Sequence, residues 1–270
     1  MKVLTSASRI LKRDTLNRED LKRLFEGKIL AIRIKNYLSE EEATKISRKV
    51  IKAAGFDHYS IAKDLGIFRT GMSFFETTGK PTERGKYFIQ AQAASQDLRK
   101  ICSPYMVPLD LFHQNLEEVW SHGAHIERIN GMKMQAGTVR MFRGDMENTL
   151  PPHQDILVRE APKSRRARRM HTQLAANIYL KTPEIGGELE LWDVRLTDEE
   201  FAAYRNHTHD FIERDRLPRN SFIIRPEAGE LILFQSPKVH TVHACKSDIR
   251  LAMSCFVGYY GEKEALTYWI

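Results

Sequence analysis

The residues best equipped for chemistry stand in two short stretches, "PPHQD" (151–155) and "KVHTVHACKSDIR" (238–250). Side chains two apart on an extended segment share a face, so His153 and Asp155 could reach one ion. Imidazole suits a first-row metal, and a carboxylate lowers the cost of taking a divalent cation out of water. A lone His-x-Asp triplet is better read as a polar turn; the second stretch offers the further donor that weakens that reading. Two histidines compete there, His240 and His243, and their odd offset turns them to opposite faces of a strand. Two imidazoles, one carboxylate and open positions make the donor set of non-haem Fe(II) oxygenases. Arg250, opening the next strand, could hold a carboxylate through both arms of its fork. Such an arginine is what the site needs if its co-substrate is a dicarboxylate.

These residues need a scaffold, and the apolar periodicity predicts one. Strands are expected at 136–142, 172–181, 186–193, 221–226, 229–236, 239–245 and 250–260, separated by Gly, Pro and Asp turns. Short strands at this spacing indicate a closed double sheet. Before them come a short helix at 17–26 with Gly27 as its C-cap, a strand at 28–34, and a helix at 38–54 opened by a Ser39–Glu42 capping box. Residues 55–90 show no clear period, and 91–121 read as two helical pieces broken around Pro104 and Pro108. The Phe112, Leu116, Val119 and Trp120 stripe reads as core. The expected fold class is α+β: a double-stranded β-helix (jelly-roll, cupin-like) core with N-terminal helices packed around it. One domain is expected over 1–270, mainly helical to 125, jelly-roll from 126, with an insertion at about 194–220.

The bulk numbers set boundaries. Of 270 residues 42% are hydrophobic and 29% charged, an ordinary globular balance, and the net charge is +7. Much of the positive excess sits in "PKSRRARRM" (162–170), which reads as a solvated loop rather than a nucleic-acid patch, with an anionic small-molecule site as a third option. Three scattered cysteines, Cys102, Cys245 and Cys255, form no disulfide framework and no thiolate zinc motif. With no secretory signature and no apolar run of membrane-spanning length, a cytoplasmic protein is expected.

The stretch "PHQD…GGELELWD…PEAGELILFQSPKVHTVHACKSDIRLAMSCFVGYY" resembles the Fe(II)/2-oxoglutarate-dependent oxygenases. The matching positions are His153, Asp155, Gly186, Gly187, Leu189, Gly229, Phe234, His240, Val242 and Arg250. Residues 24–46, 138–144, 178–192 and 258–270 extend the similarity to the subgroup holding the N-substituted L-amino-acid hydroxylase and the hapalindole-type alkaloid halogenase. The resemblance implies His153, Asp155 and His240 as ligands of Fe(II), with 2-oxoglutarate and O2 as co-substrates and Arg250 on the far carboxylate of the oxo acid. In the halogenases Gly or Ala stands where this chain has Asp155, which leaves a coordination position for chloride. With Asp155 in place the resemblance implies hydroxylation or a related oxidation, not halogenation. One departure is the Leu251-Ala252 that follows Arg250 where many members have Arg-x-Ser; Ser254, on the face of Arg250, could substitute.

Asn177 and Tyr179 alternate on a core strand and are further candidates for the oxo acid. Arg140, Phe142, Phe68 and Arg69 are candidates for the substrate, with structural pairing of Arg140 and an ordinary surface loop around Phe68 and Arg69 as the alternatives. The 194–220 insertion and the basic loop flank the expected mouth and could form a lid, and His207 and His209 read as exposed polar residues. The expected substrate is a small molecule, a free or N-modified amino acid or a related natural-product intermediate. Neither nucleic acid nor membrane is expected, and the oligomeric state is open. The rival readings are an oxygenase acting on a protein or nucleotide, one catalysing desaturation or cyclisation, and a metal-free β-barrel binding protein.

Overall fold

The computed structural model describes residues 9–53, 55–58, 66–144, 150–205 and 211–270. His207 and His209 lie outside the described residues. In chain order the elements are β1 (Ile10–Arg13), α1 (Arg18–Phe25), β2 (Ala31–Ile34), α2 (Glu40–Ala53), β3 (Asp57–His58), β4 (Ile67–Arg69), α3 (Pro81–Cys102), α4 (Pro108–Val119), β5 (Ala124–Ile126), β6 (Arg128–Ile129), β7 (Met132–Lys133) and β8 (Thr138–Phe142). There follow β9 (Leu150–His153), α5 (Leu157–Glu160), α6 (Arg165–Arg169), β10 (Thr172–Lys181), β11 (Leu189–Leu191), α7 (Asp198–Tyr204), β12 (Phe222–Ile224), β13 (Leu231–Gln235), β14 (His240–Val242), β15 (Arg250–Tyr259) and β16 (Leu266–Trp269).

Two sheets carry the architecture. The large one runs β1-β2-β13-β10-β15-β8-β4-β3, with β16 added on β15 and β5 on β16. The small one runs β12-β11-β14-β9. Every pairing is antiparallel except β1 with β2 and β16 with β5. The two sheets form the jelly-roll core of a mixed α+β fold.

Both faces of the large sheet are covered, so its central strands read as nearly continuous apolar runs. On the helical side Leu174, Ile178, Leu251 and Met253 pack with Leu24, Ile46, Phe112 and Trp120. On the other side Ala175, Tyr179, Phe234, Ala252 and Phe256 pack with Leu189, Leu191 and Ile224 of the small sheet. The pairing of β10 with β15 sets Asn177 opposite Ser254 and Tyr179 opposite Ala252. That of β8 with β15 sets Phe142 opposite Arg250 and Arg140 opposite Ala252. One face, turned toward the small sheet, thus gathers Asn177, Tyr179, Arg250, Ser254, Arg140 and Phe142.

The local signals for α1 and α2 hold. Asn17 caps α1, and Gly27 follows its end with φ +72°. Ser39 and Glu42 exchange the two capping-box bonds, at 3.0 and 3.2 Å. The aperiodic reading of 55–90 is corrected at its end: α3 starts at Pro81, with proline in its first turn. Its apolar residues do not keep to one face, since Ile89 is 82% exposed, and a helix without a stripe leaves no periodic trace. Residues before 125 also contribute β1 to β4 to the large sheet. The strand expected over 186–193 is reduced to Leu189–Leu191, because Gly186 and Gly187 turn with φ of +86° and +75°. At Gly186 a Cβ would stand 1.9 Å from the carbonyl oxygen of Ala244, so only glycine lets these segments meet.

Candidate metal centre

β14 and β9 are neighbours in the small sheet, with His240 directly opposite His153. Their rings stand 4.2 Å apart between centroids. β9 ends at His153, so Asp155 is not held by strand geometry, as the i, i+2 argument assumed. The turn after β13 holds it instead. Asp155 N–H donates to the Ser236 carbonyl at 3.0 Å, and Gln154 Nε2 donates to the Pro237 carbonyl. Gln173 completes the clamp, its Nε2 donating to Ser236 Oγ at 3.0 Å and its Oε1 accepting from Leu157 N–H at 2.9 Å. Gln173 was not singled out from the sequence; its one signal was an amide inside an apolar strand.

His153 Nε2, His240 Nε2 and Asp155 Oδ2 converge. The carboxylate oxygen is 3.3 Å from His240 and 3.9 Å from His153. The donor atoms of the three residues all lie within 4.8 Å of one another. Each imidazole is turned the same way: Nδ1 of His153 is 2.8 Å from the Pro151 carbonyl, and Nδ1 of His240 is 2.9 Å from the Lys238 carbonyl. A carbonyl only accepts, so both Nδ1 atoms carry hydrogen and both Nε2 lone pairs face the carboxylate. Charge agrees with this. Burial, aided by His240, brings His153 down to about 4. For Asp155 burial works upward, but the neighbouring His240, with His153 and Arg140, outweighs it and holds the carboxyl down at about 2. Two imidazole Nε2 atoms converging with one carboxylate form a ready ligand set, and two nitrogens with one oxygen fit Fe(II).

His243, the rival to His240, belongs elsewhere. Its Nε2 lies 2.7 Å from Glu190, a buried carboxylate that also takes both Nη groups of Arg214 and the hydroxyl of Ser221. This knot fastens the insertion to the small sheet. The insertion also touches the ligand segment: Ile212 N–H donates to the Pro152 carbonyl at 2.8 Å, and the rings of Phe211 and His153 meet in a T-shaped contact.

Arg250 is 4% exposed and lies between the rings of Phe142 and Tyr179, at 4.9 and 4.8 Å. Its Nη2 donates to Tyr179 Oη at 3.1 Å, while its buried Nε has no hydrogen-bond partner. A buried guanidinium with an unanswered donor fits an incoming carboxylate. Ser254 Oγ donates to Asn177 Oδ1 at 2.7 Å on the same face.

The substrate candidates fare unevenly. Arg140 stands on the inner face, and its charge reaches both His153 and Asp155. Phe142 is a wall of the Arg250 slot. Arg69 is corrected: its guanidinium grips Glu76 at 2.5 and 2.8 Å in a buried pair. Phe68 is corrected too. Period-2 alternation sends it to the face opposite Ile67 and Arg69, where it meets His58. In the basic run Lys163, Arg165, Arg168 and Arg169 are exposed; Arg166 pairs with buried Glu127, and Arg169 pairs with Glu264 at the surface. An open groove of about 1050 Å³ between α3 and α4, lined by Phe88, Ile89, His113 and Tyr268 among others, shares none of the metal-centre residues.

A jelly roll with two histidines on the small sheet, an aspartate just past the end of β9 and a buried arginine on the large sheet fits the Fe(II)/2-oxoglutarate oxygenase superfamily. Within it the chain belongs to the family described as carrier-protein-independent halogenase WelO5, whose model matches residues 11–270. Among solved structures it is similar to an N-substituted L-amino acid dioxygenase from Burkholderia ambifaria AMMD, with TM-score 0.65 and 16% identity over 93% of this chain and 91% of that one. It is also similar to HygX from Streptomyces hygroscopicus, solved with nickel and 2-oxoglutarate, with TM-score 0.52 and 13% identity over 90% and 87% of the two chains. At these identities the likeness is one of fold. No curated protein matches the chain. Among the described residues no helix is long and apolar enough to cross a membrane.

Proposed function

We propose that this protein is an Fe(II)- and 2-oxoglutarate-dependent dioxygenase that hydroxylates an unactivated C–H bond of a small molecule, a free or N-modified amino acid or a related natural-product intermediate. His153, Asp155 and His240 would hold the iron, and Arg250 the distal carboxylate of the oxo acid. With these bound, oxidative decarboxylation of 2-oxoglutarate by O2 supplies the oxidising power. The chain's own part is position. The Pro151 and Lys238 carbonyls fix the imidazole tautomers, the Ser236 turn fixes Asp155, and Phe142 with Tyr179 keeps water off Arg250.

The observation that carries hydroxylation over halogenation is Asp155 itself. Its carboxylate stands 3.3 Å from His240 Nε2, where the halogenases of the subgroup would offer a halide an open position. The family description names a halogenase, so the test must offer both outcomes. Protein supplied with Fe(II), 2-oxoglutarate and ascorbate in chloride buffer is screened for succinate release over free and N-substituted amino acids and small alkaloids under ¹⁸O2. Hydroxylated product carrying ¹⁸O is expected. A chlorinated product, or a desaturated one without added oxygen, overturns the proposal.

A further inference from the structure

β9 stops at His153, and its ladder to β14 stops with it: His153 stands opposite His240, but Gln154 and Asp155 have no partner on that strand. Past that point two bonds reach instead to the turn between β13 and β14, which Lys238 N–H closes on the Gln235 carbonyl at 3.1 Å. One is the backbone bond from Asp155 N–H to the Ser236 carbonyl. The other is made by a side chain. Gln154 Nε2 donates to the Pro237 carbonyl, one residue before the Lys238 carbonyl that pins His240. A single amide thus spans from the residue between two of the metal donors to the lead-in of the third.

The other end of that amide is also held. Gln154 Oε1 accepts from Arg159 Nη1 at 3.3 Å. A carbonyl only accepts and a guanidinium only donates, so both partners demand the same orientation of the amide. Arg159, on α5, is in turn gripped by the first part of the insertion. Its Nε donates to Asp198 at 2.8 Å, its Nη2 donates to the Leu196 carbonyl at 3.4 Å, and its guanidinium lies over the ring of Phe201 at 4.6 Å. The Asp198 side chain is 83% exposed, so that ion pair alone holds Arg159 weakly, and the carbonyl and the ring complete the grip.

We propose that Gln154 is a positioning residue of the metal centre, fixing the segment of His153 and Asp155 against the turn that leads to His240, and that Arg159 acts through it. Arg159 sets the direction of the amide from the insertion, so the place of Leu196, Asp198 and Phe201 bears on the spacing of the donors. The two contacts select glutamine among side chains of that length: glutamate cannot donate to Pro237, and lysine cannot accept from Arg159. The inference deepens the reading of His153, Asp155 and His240 as an iron site and rests on it.

The test strips the full-length protein of metal and titrates it with Co(II), a first-row ion suited to the same donors, reading affinity and the ligand-field absorption bands. Gln154→Met keeps the volume and removes both bonds. Its Co(II) affinity should fall about ten- to a hundredfold, the usual cost of losing an outer partner of the ligands, and its bands at saturation should move. The metal-free variant should melt within about 4 °C of wild type. A merely structural role would show in melting and leave the saturated bands in place. Arg159→Met should weaken Co(II) about three- to tenfold. That sign is diagnostic, because removing a positive charge by itself favours a bound cation. Arg159→Lys, which keeps a donor for Gln154, should stay nearer wild type. In the double variant the losses should not add, since one residue acts through the other. Gln154→Met binding within about threefold of wild type with unmoved bands overturns the inference. So does tighter binding by Arg159→Met, or losses that add. Asp155→Ala reads the metal site separately. If it takes up Co(II) as wild type does, the iron site and the inference fall together; if it loses the ion while Gln154→Met does not, only the positioning role falls.

Discussion

Replacing Arg250 by methionine tests the oxo-acid slot most directly. The guanidinium is nearly fully buried between Phe142 and Tyr179, donates one 3.1 Å bond to a phenol, and leaves Nε unanswered. Its pairing capacity is therefore available to a ligand carboxylate. Losing one partner of a buried charged pair costs about 2–5 kcal/mol. That weakens 2-oxoglutarate by about thirtyfold to a few thousandfold. Methionine fills the slot between the two rings, so the ligand-free protein should melt no lower than wild type. Tyr179→Phe removes only the phenol that orients the fork, worth about 1 kcal/mol or about fivefold. Lysine at 250 restores charge without the fork and should fall between wild type and methionine. The assay is an anaerobic titration of the Fe(II)-loaded protein with 2-oxoglutarate, followed by its absorption band. If Arg250→Met binds the oxo acid within threefold of wild type, the slot has been misassigned.

Other perturbations separate the metal centre from the scaffold. Asp155→Gly removes the single anionic donor; hydroxylation should fall at least about a hundredfold, with any residual turnover in bromide buffer giving brominated product by mass spectrometry. Glu127 is fully buried and accepts from Arg166, Tyr260, Thr267 and Arg128 N–H, so Glu127→Gln should cost about 3–5 kcal/mol, a fall in Tm on the order of 10 °C by calorimetry. Burial holds His113 down to about 4, stacked on Tyr268, while in the unfolded chain it titrates near about 6.5. The unfolded state then binds the extra proton, so stability is fully present above about pH 6.5 and falls by about 3 kcal/mol as the pH drops to 4. Denaturant unfolding of His113→Phe at pH 7 and 4.5 should show that fraction of the acid sensitivity gone.

How legible all this was depended on whether a signal was local. Strands β10 and β15 were read nearly to the residue, because burial on both faces writes an unbroken apolar run. The caps of α1 and α2 were legible because a cap is a contact within four residues. The one-turn strands β3, β5, β6 and β7 left no pattern, being too short for a period to appear. Phe68 and Arg69 show the other limit. Both sat in a stretch with functional-looking composition, yet Arg69 had a carboxylate waiting seven residues away in Glu76 and Phe68 had the wrong parity.

The metal centre carries a finer lesson about support. The type of each donor was evident from "PHQD" and "KVH", but not what aims it. Both histidines use the backbone carbonyl two residues before them, Pro151 for His153 and Lys238 for His240, to pin the hydrogen on Nδ1. Asp155 has no such local device. It depends on Ser236, Ser236 on Gln173, and Gln173 on a strand of the opposite sheet. The carboxylate on which the proposal of hydroxylation rests is thus the donor most dependent on the assembled fold. The two imidazoles are aimed by their own segments, whereas the carboxylate is aimed only once both sheets have closed on it.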